Sequence, residues 1–128
     1  MSHTALLVDD EQGVRAYVSA VLRQAGYRVV AAADASEALS ILHRTRGGVG
    51  VLVTDINMPQ MTGIELVNAM RIDFPYIPVV YISGDQSNAP QQDPRSGCAF
   101  VLKPFGPKAL LDAVRSVVTR ALSAGGVC

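Results

Sequence analysis

Short apolar runs that stop abruptly on a carboxylate constrain this chain more than any other feature. The run Leu6-Leu7-Val8 leads into Asp9, and Leu52-Val53-Thr54 leads into Asp55. An apolar run without polar alternation is typical of a strand buried on both faces, as in a parallel sheet covered by helices. The pattern therefore predicts buried strands that carry acidic side chains at their carboxyl ends.

Segments with helical periodicity separate these runs. From Val14 to Ala25 the apolar residues recur at the spacing of one helix face, and Gly26 supplies a left-handed cap. Pro107 suits the first turn of the last helix. Two pairs with capping-box spacing predict the starts of the intervening helices: Asp34 with Glu37, and Thr62 with Glu65.

Alternating strands and helices predict a parallel sheet between two helical layers, joined by right-handed crossovers. The predicted strands are residues 5–8, 27–32, 49–54, 78–82 and 98–102. Residues 86–96 contain two prolines and no apolar period, so any fourth helix is expected to be short or irregular. We expect one domain over residues 1–122 and a flexible tail over 123–128.

Composition limits the classes of function. At 128 residues and 49% hydrophobic, the chain has material for one core, and its zero net charge with scattered Lys and Arg argues against direct nucleic-acid binding. No apolar run is long enough to span a membrane and no signal peptide is visible, so a cytoplasmic location is expected. Cys98 and Cys128 define no disulfide framework, and Cys98 is interpreted as a small buried residue.

Polar residues at four predicted strand ends should meet at one edge of a parallel sheet. They are Asp9, Asp10, Asp55, Ser83 and Lys103. Carboxylates placed together repel one another unless a cation offsets their charge, and a ligand set made only of oxygens favours Mg²⁺. A lysine and a hydroxyl beside a metal-bound carboxylate suit phosphoryl transfer, with the carboxylate as nucleophile.

Four segments in this order give the chain a clear resemblance to the receiver domains of two-component response regulators. They are residues 6–11 (LLVDDE), residues 54–59 (TDINMP) with Gly63, residues 82–84 (ISG) and residues 100–105 (FVLKPF). The resemblance implies a flavodoxin-like (βα)5 three-layer sandwich with sheet order 2-1-3-4-5. It implies a phosphoacceptor in His-Asp signal transduction that catalyses only its own phosphorylation and dephosphorylation.

The resemblance also implies partners and metal ligands. Asp55 would accept a phosphoryl group from a histidine kinase or phosphotransfer protein, and an unidentified downstream protein would respond. A phosphorylation-dependent dimer is a further expectation, whereas membrane and nucleic-acid binding are not expected. Mg²⁺ would be held by Asp10, Asp55 and the backbone carbonyl of Asn57, with Asp9 acting through a water.

Three residues would detect the phosphoryl group. Ser83 and Lys103 would contact its oxygens, and Phe100 would be the switch aromatic that turns inward. The Lys103-Pro104 bond is expected to be cis. Ser83 stands where threonine is commoner, so switching is expected to be looser. The irregular fourth-helix segment and residues 97–105 look more like receivers attached to hybrid histidine kinases than like those of DNA-binding regulators.

Other interpretations stay open from the residues alone. The acidic run 9–11 could equally belong to a solvated loop. Lys103 could be a surface lysine, and Phe100 could be a residue of the apolar core. An Asp-nucleophile phosphohydrolase would need an acid at position 57, which is Asn. A flavodoxin-like nucleotide binder would not place acids in its phosphate loop. A phosphate-independent interaction module is kept open by the unusual fourth-helix segment.

Overall fold

Strands and helices alternate along the chain in the computed structural model, which describes residues 3–84 and 98–124, with side chains through residue 119. The strands are β1 (Thr4–Val8), β2 (Arg28–Ala32), β3 (Val51–Asp55), β4 (Val79–Ser83) and β5 (Cys98–Leu102). The helices in the described part are α1 (Gln12–Gln24), α2 (Ala35–Arg44), α3 (Gly63–Asp73) and α4 (Pro107–Ala124).

All strand pairs are parallel, and the sheet order is β2-β1-β3-β4-β5. The predicted fold class and strand order are therefore confirmed. The third strand begins two residues later than predicted and includes Asp55 as its last residue. The predicted fourth-helix segment, at residues 86–96, lies outside the described residues, as does the end of the predicted tail.

The two faces of the sheet bury separate apolar layers, because successive side chains of a strand point to opposite faces. On one face, Leu6, Val8 and Leu52 join the buried sides of α2 and α3. On the other face, alternate residues such as Leu7 and Val53 pack with α1 and α4. The continuous apolar runs of the sequence are thus explained by burial on both sides.

Local capping fixes where α2 and α3 begin. Asp34 accepts a hydrogen bond from the Glu37 backbone N–H at 2.8 Å. Thr62 and Glu65 form the complete reciprocal capping box, with bonds of 3.0 and 3.1 Å. Each bond satisfies a backbone donor that the first helical turn leaves unpaired. Both capping predictions are confirmed.

Strand register brings the carboxyl ends of β3, β4 and β5 to one edge. Asp55 pairs with Ile82, and Ser83 pairs with Leu102. Backbone bonds continue just past the strands: the Ile56 N–H donates to the Ile82 carbonyl at 3.0 Å, and that of Lys103 to the Ser83 carbonyl at 2.8 Å. These bonds fix the polar residues that follow the buried runs.

Two further predictions concern membrane spanning and the environment of Cys98. Within the described residues, no helix is long and apolar enough to cross a membrane. Cys98 packs against one apolar layer but is only partly buried, and it is disulfide-bonded. The predictions that Cys98 is buried and that the cysteines define no disulfide are therefore wrong for Cys98, and Cys128 lies outside the described residues.

An exposed histidine joins α2 to α3 and should make stability depend on pH. His43 Nδ1 lies 2.8 Å from the Leu39 carbonyl oxygen and Nε2 lies 3.2 Å from Asp73 Oδ2. The Leu39 carbonyl and then Asp73 raise the pKa of His43 above its ordinary value of 6.5. A raised pKa in the folded state stabilises it fully below the unfolded pKa, and this stabilisation is lost as pH rises through the folded value.

We therefore expect His43→Gln to lower the free energy of unfolding at pH 5.5, with the difference from the wild type shrinking by pH 8. Urea denaturation at both pH values measures this difference. Asp73→Asn should weaken the same pH dependence, because it removes the partner carboxylate. An equal effect of His43→Gln at both pH values would contradict the assignment.

Candidate functional site

The Asp55 carboxylate lies at the end of β3 and is only 4% exposed. Its Oδ1 accepts a hydrogen bond from the Asn57 backbone N–H at 3.1 Å, and its Oδ2 accepts one from Lys103 Nζ at 3.3 Å. Both oxygens are thus bound to donors that fix the orientation of the carboxylate. A buried carboxylate oriented in this way is suited to act as a nucleophile.

Asp9, which directly follows β1, is a second buried carboxylate. It is fully buried, and its Oδ1 accepts a hydrogen bond from the Glu11 backbone N–H at 2.9 Å. Its Oδ2 has no hydrogen-bond partner among the described residues. Burial raises the pKa of Asp9 to about 6; the Glu11 N–H and Lys103 oppose the rise, and the Asp55 charge adds to it. Asp9 therefore holds its charge at a cost in stability.

Lys103 supplies the positive charge at the centre of this group. Its Nζ lies 3.3 Å from Asp55 Oδ2, 3.6 Å from Asp9 Oδ2 and 3.5 Å from Glu11 Oε1. Partial burial acts to lower the pKa of Lys103, but the three carboxylates outweigh it and the pKa is raised. The lysine therefore stays protonated. Because it is largely buried among three carboxylates, its interpretation as a surface lysine is wrong. The Lys103-Pro104 peptide bond is cis, as expected.

The predicted switch residues lie on β4 and β5. The Ser83 side chain is fully buried at the end of β4, and its Oγ accepts a hydrogen bond from Asn57 Nδ2 at 3.4 Å. Phe100 is partly exposed, lies opposite Tyr81 in the sheet register and packs against the layer that includes α2 and α3. Ser83 is therefore at the site, and Phe100 lies further back along β5.

The carboxylates that lie together in the structure are not the set predicted from the sequence. Asp9, Glu11 and Asp55 can bring one oxygen each to within 4.8 Å of one another. Asp10 is exposed and does not belong to this group. Sequence reasoning noted Glu11 as part of an acidic run but gave it no role. The geometry of the β1-α1 loop, which a linear spacing does not specify, decides which loop carboxylate lies near Asp55. Glu11 does so while its side chain stays exposed.

Gly63 allows the start of α3 to lie directly against the strand that carries Asp55. A Cβ atom at position 63 would overlap the backbone carbonyl oxygen of Asp55 and would lie 3.0 Å from its carbonyl carbon. The Gly63 N–H donates to the Ile56 carbonyl at 2.9 Å. The glycine is thus needed for close approach rather than for backbone flexibility.

Fold and site together define a class: doubly wound α/β domains with an acidic pocket and a lysine at the carboxyl edge of the sheet. The response regulator receiver domain family matches the chain over residues 5–115. The chemotaxis protein CheY of Pseudomonas aeruginosa is 35% identical over 122 residues, which cover 90% of this chain and 95% of that protein. The chain belongs to the response regulator receiver domain family.

A curated relative and a solved structure support the same family membership. The sensor kinase CckA of Brucella abortus is 35% identical over 123 residues, which are 93% of this chain but 13% of that protein. The crystal structure of CheY4 from Vibrio cholerae is 32% identical with a TM-score of 0.78, and the match covers 91% of this chain and 99% of that one. The chain spans between 13% and 51% of the length of three curated relatives that it matches.

Membership of the family establishes the general function. Receiver domains are the phosphoacceptor domains of two-component systems and are signalling domains rather than enzymes of the usual kind. They interact with histidine kinases or phosphotransfer proteins. The acidic pocket described above is consistent with that function.

Replacing Gly63 by alanine tests the close approach of α3 to the Asp55 backbone. Gly→Ala inside a helix ordinarily stabilises by about 0.5–1 kcal/mol, but here overlap should reverse the sign and destabilise by about 1–3 kcal/mol. Gly13→Ala is the matched control, because Gly13 lies in α1 with nothing within 4 Å of its added Cβ. Denaturant unfolding of both variants measures the difference, and equal stabilisation would refute the overlap.

Replacing Asp9 by asparagine tests the cost of its buried charge. The pKa is about 6 in the folded chain against an ordinary 3.8, so the folded state binds the extra proton between these values. Stability should therefore fall as pH rises from about 4 to about 6. In chelator at pH 8, Asp9→Asn should be more stable than the wild type by about 1–2 kcal/mol, and the gain should vanish near pH 4.

Asparagine keeps the oxygen that accepts the Glu11 N–H, so the variant alters charge more than packing. Asp10→Asn is the control, because the Asp10 side chain is exposed and should contribute little. Thermal melts across this pH range provide the measurement. A pH-independent difference for Asp9→Asn would show that its charge is not the cause.

Proposed function

We propose that Asp55 is the residue phosphorylated in this receiver domain, with a phosphohistidine on a histidine kinase or phosphotransfer protein as donor. The observation that supports this most directly is the buried Asp55 carboxylate held between the Asn57 N–H and the Lys103 ammonium. An oxygen of Asp55 attacks phosphorus, an O–P bond forms, and the P–N bond to the imidazole breaks. The product is an aspartyl phosphate.

Lys103 gives the attack electrostatic support. Its ammonium already lies 3.3 Å from an Asp55 oxygen, and its raised pKa keeps it charged. A fixed cation beside the reacting oxygen stabilises the charge that spreads over phosphoryl oxygens during transfer. Ser83 Oγ lies on the same edge, where its hydroxyl can donate to a phosphoryl oxygen. We assign Lys103 and Ser83 to phosphoryl contact.

The residues present fit a Mg²⁺ ion. Asp9 Oδ2, which is buried and accepts no hydrogen bond from the described residues, lies in a group of three carboxylates that offers only oxygen atoms. We propose that Asp10, Asp55 and the Asn57 backbone carbonyl hold the ion, with Asp9 acting through a water. Because Asp10 is exposed while Glu11 lies in the carboxylate group, Asp10 must turn inward for this set to form. The bound ion would supply positive charge in addition to that of the Lys103 ammonium.

The proposed signal is a shift between two conformers. Phosphorylation would stabilise the conformer in which Ser83 moves toward the phosphoryl group and Phe100 turns inward. Ser83 is already buried beside Asn57, and Phe100 is partly exposed, so a change of Phe100 orientation alters the surface near β5. A downstream protein would bind that altered surface, and a phosphorylation-dependent dimer is a further proposal.

The remaining assignments are part of the same proposal. Residues 1–122 form the receiver domain, in a cytoplasmic phosphoprotein of a phosphorelay. Of the tail predicted over 123–128, the first two residues belong to α4 and the rest lies outside the described residues. Turnover is limited to the domain's own phosphorylation and dephosphorylation. A phosphohydrolase is disfavoured because Asn57, two residues after Asp55, has an amide that donates to Ser83 instead of an acid that could protonate a leaving group.

Intact-mass spectrometry tests the phosphoacceptor. Acetyl phosphate with Mg²⁺ should add one phosphoryl group to the wild type and none to Asp55→Asn, which keeps the size of the side chain but removes the nucleophile. Asp73→Asn is the matched control, because Asp73 is exposed and pairs with His43 at the C-terminal end of α3. An unmodified wild type, or a modified Asp55→Asn protein, would refute the assignment.

A further inference from the structure

The acidic loop between β1 and α1 is held in an unusual way. Among the described residues, no side chain caps the N-terminus of helix α1, and its first turn holds no acidic residue, unlike α2 and α3. This loop nevertheless carries Asp9, Asp10 and Glu11, whose charges repel one another. The loop must therefore be held by hydrogen bonds other than that of a capping side chain.

Arg15 provides that connection. It lies one turn into α1, where its backbone N–H donates to the Glu11 carbonyl at 3.0 Å. Its Nη1 reaches back to donate to the Asp9 carbonyl oxygen at 2.7 Å. The Arg15 side chain therefore ties the first turn of α1 to the residue that ends β1, across the whole loop.

The bond from Arg15 completes the fixation of Asp9. The Asp9 N–H donates to the Ala32 carbonyl of β2 at 3.2 Å, and the Asp9 Oδ1 accepts from the Glu11 N–H at 2.9 Å. The third polar group of this residue, its carbonyl oxygen, is the one that Arg15 binds. That carbonyl belongs to the peptide unit joining Asp9 to Asp10, so its orientation sets the direction from which Asp10 projects.

We propose that Arg15 is a positioning residue for the metal-binding loop. It fixes the Asp9-Asp10 peptide, so that the Asp10 side chain can rotate inward from a fixed backbone and join Asp55 on one cation without Arg15 touching that cation. The inference rests on the proposed Mg²⁺ site and adds a residue to it. Groups that orient metal ligands without binding metal ordinarily change metal affinity by about 10–100-fold when removed.

The sign of the effect separates positioning from simple electrostatics. A guanidinium near an acidic pocket repels a divalent cation, so loss of its charge alone would tighten Mg²⁺ binding. Loss of a positioning bond would weaken binding instead. Arg15→Gln removes the charge and the reach of the guanidinium, so the two roles predict opposite changes in the Mg²⁺ dissociation constant.

Titration of ¹⁵N-labelled protein with MgCl₂, followed by amide chemical shifts, measures that constant. We expect Arg15→Gln to weaken Mg²⁺ binding about tenfold and Arg15→Lys to recover most of it, because lysine keeps a donor and a charge. Arg23→Gln is the matched control, since Arg23 is an exposed arginine in the last turn of the same helix. Asp10→Asn gives the loss expected from removing a ligand.

Amide hydrogen exchange without metal gives a second readout. Arg15→Gln should speed exchange of the Glu11 N–H, whose bond to Asp9 depends on the loop conformation, while Arg23→Gln should not. Unchanged or tighter Mg²⁺ binding by Arg15→Gln, or an equal loss in Arg23→Gln, would overturn the role of Arg15. A wild type that neither binds Mg²⁺ nor accepts a phosphoryl group would instead overturn the proposed function.

Discussion

The attraction between the Lys103 ammonium and three carboxylates is the interaction on which the site depends. The Lys103 Nζ atom lies 3.3–3.6 Å from a carboxylate oxygen of each of Asp55, Asp9 and Glu11. Two of these carboxylates are almost completely buried, where like charges repel strongly because little water screens them. One ammonium offsets only part of that charge, so the pKa of Asp9 remains raised. This imbalance leaves the pocket suited to bind a further cation.

The rigidity of the sheet holds these carboxylates together despite their mutual repulsion. Asp55 belongs to a strand buried on both faces, and backbone bonds on either side of it fix the neighbouring strand ends. Gly63 lets α3 lie so close that its backbone contacts the peptide group of Asp55. A carboxylate on so rigid a support cannot move away from its neighbours to relieve repulsion, which keeps it available for chemistry.

The second part of the pocket is built differently. Asp10 and Glu11 lie on a loop. The Glu11 backbone N–H donates to the Asp9 carboxylate, and the Arg15 guanidinium donates to the Asp9 backbone carbonyl; these bonds hold the loop in place of a helix cap. Asp55 is thus supported by a strand, whereas Asp10 and Glu11 are supported by a few polar contacts of the loop. A loop of this kind can adjust when a cation or a phosphoryl group arrives, because its bonds are few and partly exposed.

Sequence patterns determined the parallel sheet, its helical layers and the strand ends at which polar residues gather, because burial on two faces requires uninterrupted apolar runs. The caps at Thr62 and Asp34 were equally predictable, since capping depends on residues three apart. Tertiary structure alone decided that Glu11 rather than Asp10 turns toward Asp55, and that Arg15 binds the Asp9 carbonyl. Both depend on how the β1-α1 loop folds back on itself, because two adjacent acidic residues have no spacing that specifies which of them lies near Asp55.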